Sequence, residues 1–138
     1  MRYKKTFSIY LLIIFVLLQG ISGLLGGISL IIDPSGGQIG LPVNWLEGSP
    51  FENFLIPGII LLTVLGVFPL ITTMGLISGT RKALISSRLI GYALLIWIGV
   101  EVIIIGYRPD PPLQLIFGIE GVIILLLAYS TVVTNYYT

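Results

Sequence analysis

The sequence predicts an all-α polytopic membrane protein, a four-transmembrane-helix bundle with a structured first outer loop. Three observations predict it. The chain is 56% hydrophobic and 9% charged, whereas soluble domains carry about 25% charged residues. Its apolar residues gather into four stretches of about 20 residues, the length that crosses a hydrocarbon layer of about 30 Å as a helix. Those stretches run without the alternation of a membrane β-barrel. A soluble domain of 138 residues leaves too much surface exposed to hide so apolar a composition. Residues 1–138 read as a single membrane domain.

The first stretch covers residues 7–32. Arg2, Lys4 and Lys5 ahead of it would suit a signal peptide. However, the run exceeds the usual apolar region of roughly 7–15 residues and no A-x-A site follows, so it is read as the first span. Gly20, Gly23 and Gly27 recur on it at helical spacing, with Gly23 and Gly27 forming a G-x-x-x-G pair. Such a face packs closely on another helix of the same chain or on a second copy. The outer loop 33–52 opens with the turn-rich Asp33-Pro34-Ser35-Gly36-Gly37. Pro42 and Trp45 suit a short helix at the membrane surface; the alternative is an irregular loop resting on the bundle.

The second span is placed at 53–78. Ser49-Pro50-Phe51-Glu52 combines a capping-box pattern with proline at the first helical position, so the helix is expected from Pro50. Pro57-Gly58 and Pro69 predict kinks, serving either packing or the binding of an ion or anionic group. The third span is placed at 89–107 and the fourth at 113–133. The outer loop 108–112, Arg108-Pro109-Asp110-Pro111-Pro112, is stiffened by three prolines and makes these spans antiparallel neighbours. The inner loop 79–88 carries Arg81, Lys82 and Arg88, which suit anionic lipid headgroups and are too few to argue nucleic-acid binding. The tail Asn135-Tyr136-Tyr137 reads as an interfacial anchor. Residues 10–19 and 92–101 echo each other, each running from a tyrosine to a polar residue, Gln19 or Glu101. Either a parallel repeat of helix pairs or the chance likeness of apolar helices accounts for this.

Charge sets the expected orientation. Six of the seven basic residues fall on one side of the predicted spans and Arg108 alone on the other. The positive-inside rule makes the rich side cytoplasmic, with both termini there and the protein in the cell (inner) membrane.

The chain has no cysteine and no histidine. This excludes disulfides, thiol chemistry and the commonest general base and metal ligand. No metal or cofactor site is expected. The informative residues are Glu101 and Glu120, each six or seven residues from the outer end of its predicted span, roughly 10 Å deep. A charge buried in a span costs about 2.5–3.5 kcal/mol at the centre. Arg108 falls on the same helix face as Glu101 as a candidate counter-ion. Tyr107, Gln114, Asn53 and Gln19 are candidate hydrogen-bond partners. Three readings follow: a structural tie between spans three and four, an outward-facing polar pocket for a cation, proton or small ligand, or an acid–base pair in an intramembrane enzyme.

The outer-loop residues Asp33-Pro34-Ser35-Gly36-Gly37, Gly40-Leu41-Pro42, Ser49-Pro50-Phe51, Phe54 and Pro57-Gly58 resemble those of small prokaryotic four-span membrane proteins, as does Glu101 within V-E-V-I-I-I-G-Y. The resemblance implies an architecture and no activity. Four spans and an intramembrane glutamate are also similar to small multidrug-resistance transporters, which carry that glutamate in the first span, where this chain has Gln19, and have no long first outer loop.

The function expected is that of a non-enzymatic membrane protein, an accessory or scaffold subunit or a binder of a small ligand or lipid. Its partners would be the bilayer and a membrane protein or a second copy through Gly20, Gly23 and Gly27. The alternative is a small transporter or ion/proton-coupled carrier using Glu101 and Glu120. An intramembrane enzyme comes third.

Overall fold

A computed structural model describes residues 4–109 and 112–138; Arg2, Asp110 and Pro111 lie outside the described residues. The chain is all-helical, with no strand among the described residues. Helix α1 spans Phe7–Ile32 and ends where Pro34 cannot extend its ladder; the Asp33 amide donates to Ser29 O at 3.0 Å. Two short 3₁₀ turns follow, Gly37–Ile39 and Val43–Leu46. Helix α2, Leu55–Leu62, runs through a π-turn at Thr63–Val67 into α3, Phe68–Ser78. Helix α4 covers Arg81–Ile105, α5 Leu113–Tyr129, and α6 Thr131–Tyr137.

Among the described residues, three helices are long and apolar enough to cross a membrane: α1, the continuous Leu55–Ser78, and α4. The pair α5 and α6 makes a fourth if counted as one span, although it bends by 61°. The outside of the bundle is apolar all round, with Ile103, Leu126, Met74 and Ile96 among its most exposed residues.

Several boundaries differ from the sequence reading, each for a local reason. The second helix starts at Leu55, not Pro50. Ser49 closes a turn, its hydroxyl donating to Leu46 O at 2.7 Å and accepting from the Phe51 amide at 3.2 Å. Asn53 then accepts from the Leu55 amide at 3.0 Å and opens the helix. Pro57 falls in the first helical turn, where its missing N–H leaves no bond unmade. The expected ten-residue inner loop is a two-residue turn. Gly79, at φ 81°, ends α3 in the left-handed conformation, so Arg81, Lys82 and Arg88 lie on α4. The fourth stretch breaks at Ser130, whose hydroxyl caps α6. The tail packs back on the bundle: Tyr137 is buried and its hydroxyl donates to Leu76 O at 2.7 Å.

Among the described residues two apolar cores result. The larger lies at the end holding both termini and contains Leu12, Val16, Leu76, Ile90, Ile124, Ala128 and Tyr137. The smaller plugs the opposite end: Leu46 and Phe54 of the long loop join Leu30, with Leu41, Ile104 and Ile105 against them. The loop is closed on itself by the Phe54 amide, which donates to Pro34 O at 2.8 Å. It is thus an ordered cap with a short 3₁₀ turn around Trp45.

Candidate functional site

Between the two cores the bundle holds a polar level. It originates in Pro69, which has no N–H and so leaves the carbonyl four residues earlier, Leu65 O, without its α-helical partner. The strain is absorbed as a π-turn, a feature common at functional sites. The Gln19 side chain supplies a donor, Nε2 giving a hydrogen bond to Leu65 O at 3.1 Å.

Glycines bring the helices close enough for this. A Cβ on Gly23 would collide with the Leu65 backbone, and one on Gly66 would meet the Leu24 amide at 2.9 Å. Gly20 lies against Leu70 and Gly27 against Leu62. This small-residue face is therefore occupied by the chain's own second span.

A carbonyl only accepts, so the Gln19 amide nitrogen faces Leu65 and Oε1 turns elsewhere. That oxygen is buried without a hydrogen-bond partner, and Glu120 Oε1 is in the same condition. Gln19 is 2% exposed and Glu120 9%. An orphaned buried polar atom costs about 1–3 kcal/mol. Glu120 continues, one turn outward, the α5 stripe of Ile124 and Ala128. Gln19 likewise continues the α1 stripe of Leu12 and Val16. Both stripes build the same core, and α1 packs on α5 while the π-turn packs on both α1 and α4.

Glu101 is placed differently. Gly91 lies against Leu125, Gly121 against Leu95 and Gly118 beside Ile98. Continued outward, this register sets Glu101 opposite the first turns of α5, and Glu120 sits deeper by a turn or more. Glu101 is half-buried, with Trp97 one turn earlier beside its carboxylate. No hydrogen bond joins the two glutamates among the described residues.

The other predicted site residues divide between the cap and the hairpin. Arg108 turns away from Glu101: its guanidinium stacks 4.0 Å from the Trp45 ring centroid and Nε donates to Ile105 O at 2.8 Å. Gln114 clamps the hairpin, its Oε1 accepting from the Arg108 amide at 2.7 Å and its Nε2 donating to Gly106 O at 3.2 Å. Tyr107 is exposed, and Asn53 serves the start of α2. Among the described residues no group of histidines, cysteines or acids stands ready to hold a metal ion.

Two residues carry more than the sequence reading gave them. Arg88, read as a loop charge, holds the α5–α6 bend. It donates from Nε to Ala128 O at 3.1 Å and from Nη2 to Thr134 Oγ1 at 3.0 Å, and it stacks 4.2 Å from the Tyr129 ring centroid. Leu65 enters through its carbonyl, a role legible from its place four residues before Pro69.

Along the outer half of the hairpin, the surface between α4 and α5 holds an apolar groove of about 400 Å³. Ile98, Val102, Leu115, Gly118, Ile119 and Val122 line it, with Tyr107 and Gln114 toward the hairpin tip. A Cβ added at Gly118 would meet nothing nearer than Ile98, at 4.0 Å. No family model, no curated protein and no solved structure matches this chain.

Proposed function

We propose that this chain is a non-enzymatic protein of the cell membrane that crosses the bilayer four times and holds a phospholipid acyl chain between α4 and α5. The supporting observation is the α4–α5 groove, apolar along its length and open to the side that lipid would occupy. Tyr107 and Gln114 stand at its tip, where a polar headgroup would lie. The perimeter of exposed apolar side chains supports insertion, since soluble proteins rarely expose large apolar patches. Helix α5 has 17 residues, about 25 Å of rise. It would cross with the bend at Ser130 and local bilayer thinning. Arg81, Lys82 and Arg88 would then face the cytoplasm with the termini. A carrier built on an outward-facing pocket around both glutamates has less support, because the α4–α5 groove is lined by neither Glu101 nor Glu120.

The experiment is purification in mild detergent followed by native mass spectrometry and extraction of bound lipid. The wild-type chain retains phospholipid. Gly118→Leu fills the groove, replaces a helix-interior glycine with a better helix former and retains much less, while melting no lower than wild type. Equal lipid retention by the two proteins contradicts the reading.

A further inference from the structure

We propose that the polar level between the two cores is a binding site for one sodium-sized cation, held by Gln19 Oε1, Leu65 O and the Glu120 carboxylate. The observations are separate from those behind the lipid groove. All three groups are oxygen acceptors, and hard monovalent and divalent cations take oxygen ligands. Two of the oxygens, on Gln19 and Glu120, are buried and unpartnered. They extend the facing stripes of α1 and α5 by one turn from the same core. The third is the carbonyl at the π-turn freed by Pro69. Carbonyls at interrupted helices coordinate sodium in other membrane proteins for the same reason.

Charge selects the valence. Glu120 carries one negative charge, and α1, which faces it, has no ionisable group at this depth. Glu101 on α4 is the other acid within the helices, set nearer the hairpin tip. A monovalent cation neutralises the site, whereas a divalent one leaves a net charge inside lipid, which is costly.

The test is thermal unfolding of the purified full chain in detergent, in sodium chloride against choline chloride at equal ionic strength and fixed pH. Sodium should raise the wild-type midpoint by about 5 °C at saturating concentration. The increment should vanish in Glu120→Gln, which keeps the side chain's shape, and persist in Glu101→Gln. Identical wild-type midpoints in the two salts overturn the site, a result that needs no variant to fold. So does a midpoint that follows pH but not sodium, which would assign the positive charge to a proton on Glu120. An increment lost in Glu101→Gln and kept in Glu120→Gln would move the site elsewhere and likewise overturn the proposal.

Discussion

At the scale of single residues, the tightest of the glycine contacts among the described residues is backbone to backbone, where Gly23 of α1 meets Leu65 and Gly66 of the π-turn. A methyl group there has a main-chain atom in its way rather than a flexible side chain, so the helices must part. Gly23→Ala should lower stability by about 2–3 kcal/mol, as overpacked sites do. It should also break the Gln19 hydrogen bond to Leu65 O. Gly99 lies on α4 with nothing within 4 Å of an added Cβ. Gly99→Ala should therefore be neutral or stabilising by up to about 1 kcal/mol. Unfolding of both variants in mixed detergent checks the pair, and equal effects would contradict the packing described. The glycine spacing was legible in the sequence, but the identity of the facing helix was not. Spacing reports that a face is small, and nothing in it distinguishes Leu65 of the same chain from a second copy.

At the scale of elements, the cap depends on a local turn. The Ser35 hydroxyl donates to Asp33 Oδ1 at 2.6 Å and holds that carboxyl below the ordinary aspartate value of 3.8, with the Ser35 amide adding a second bond. A depressed carboxyl contributes order that is present above its unfolded value and is lost as pH falls through its folded value. Hydrogen exchange across residues 33–54 should therefore show protection that is steady at pH 5–6 and falls below about pH 4, the ordinary aspartate range. Asp33→Asn should remove the part of this dependence that belongs to Asp33. The same pH profile in both proteins would contradict that role. The helices themselves were legible because each apolar run is about as long as a span requires. Their ends were less so. A capping-box pattern at Ser49 also fits the turn it makes, and the hydroxyl is used there before the helix begins. The apolar run through Val133 conceals the break at Ser130, which depends on Arg88 reaching from another helix to the freed Ala128 carbonyl.

At the scale of the molecule, two apolar cores enclose one polar level, and an apolar shell surrounds both. The sequence reading found the polar residues of that level, Gln19 and Glu120, because they are out of place in apolar stretches. It grouped Glu120 with Glu101 because both were counted from the hairpin tip. Gln19 comes from α1, a helix distant in sequence that packs on α5, and no local count reveals such a neighbour. The uneven distribution of basic residues survives the shift of Arg81, Lys82 and Arg88 from loop to helix, since they remain at the end of the bundle that holds the termini.

In the proposed topology α1, the α2–α3 helix, α4 and the bent α5–α6 pair each cross the membrane. This topology is tested most directly by labelling single cysteines, since the chain has none of its own. Gln38→Cys and Pro109→Cys should react with a membrane-impermeant maleimide on intact cells. Thr80→Cys and Asn135→Cys should react only after permeabilisation. Labelling of Asn135→Cys on intact cells while Thr80→Cys stays protected would mean that α5 and α6 turn back without crossing, and would contradict the four-span account.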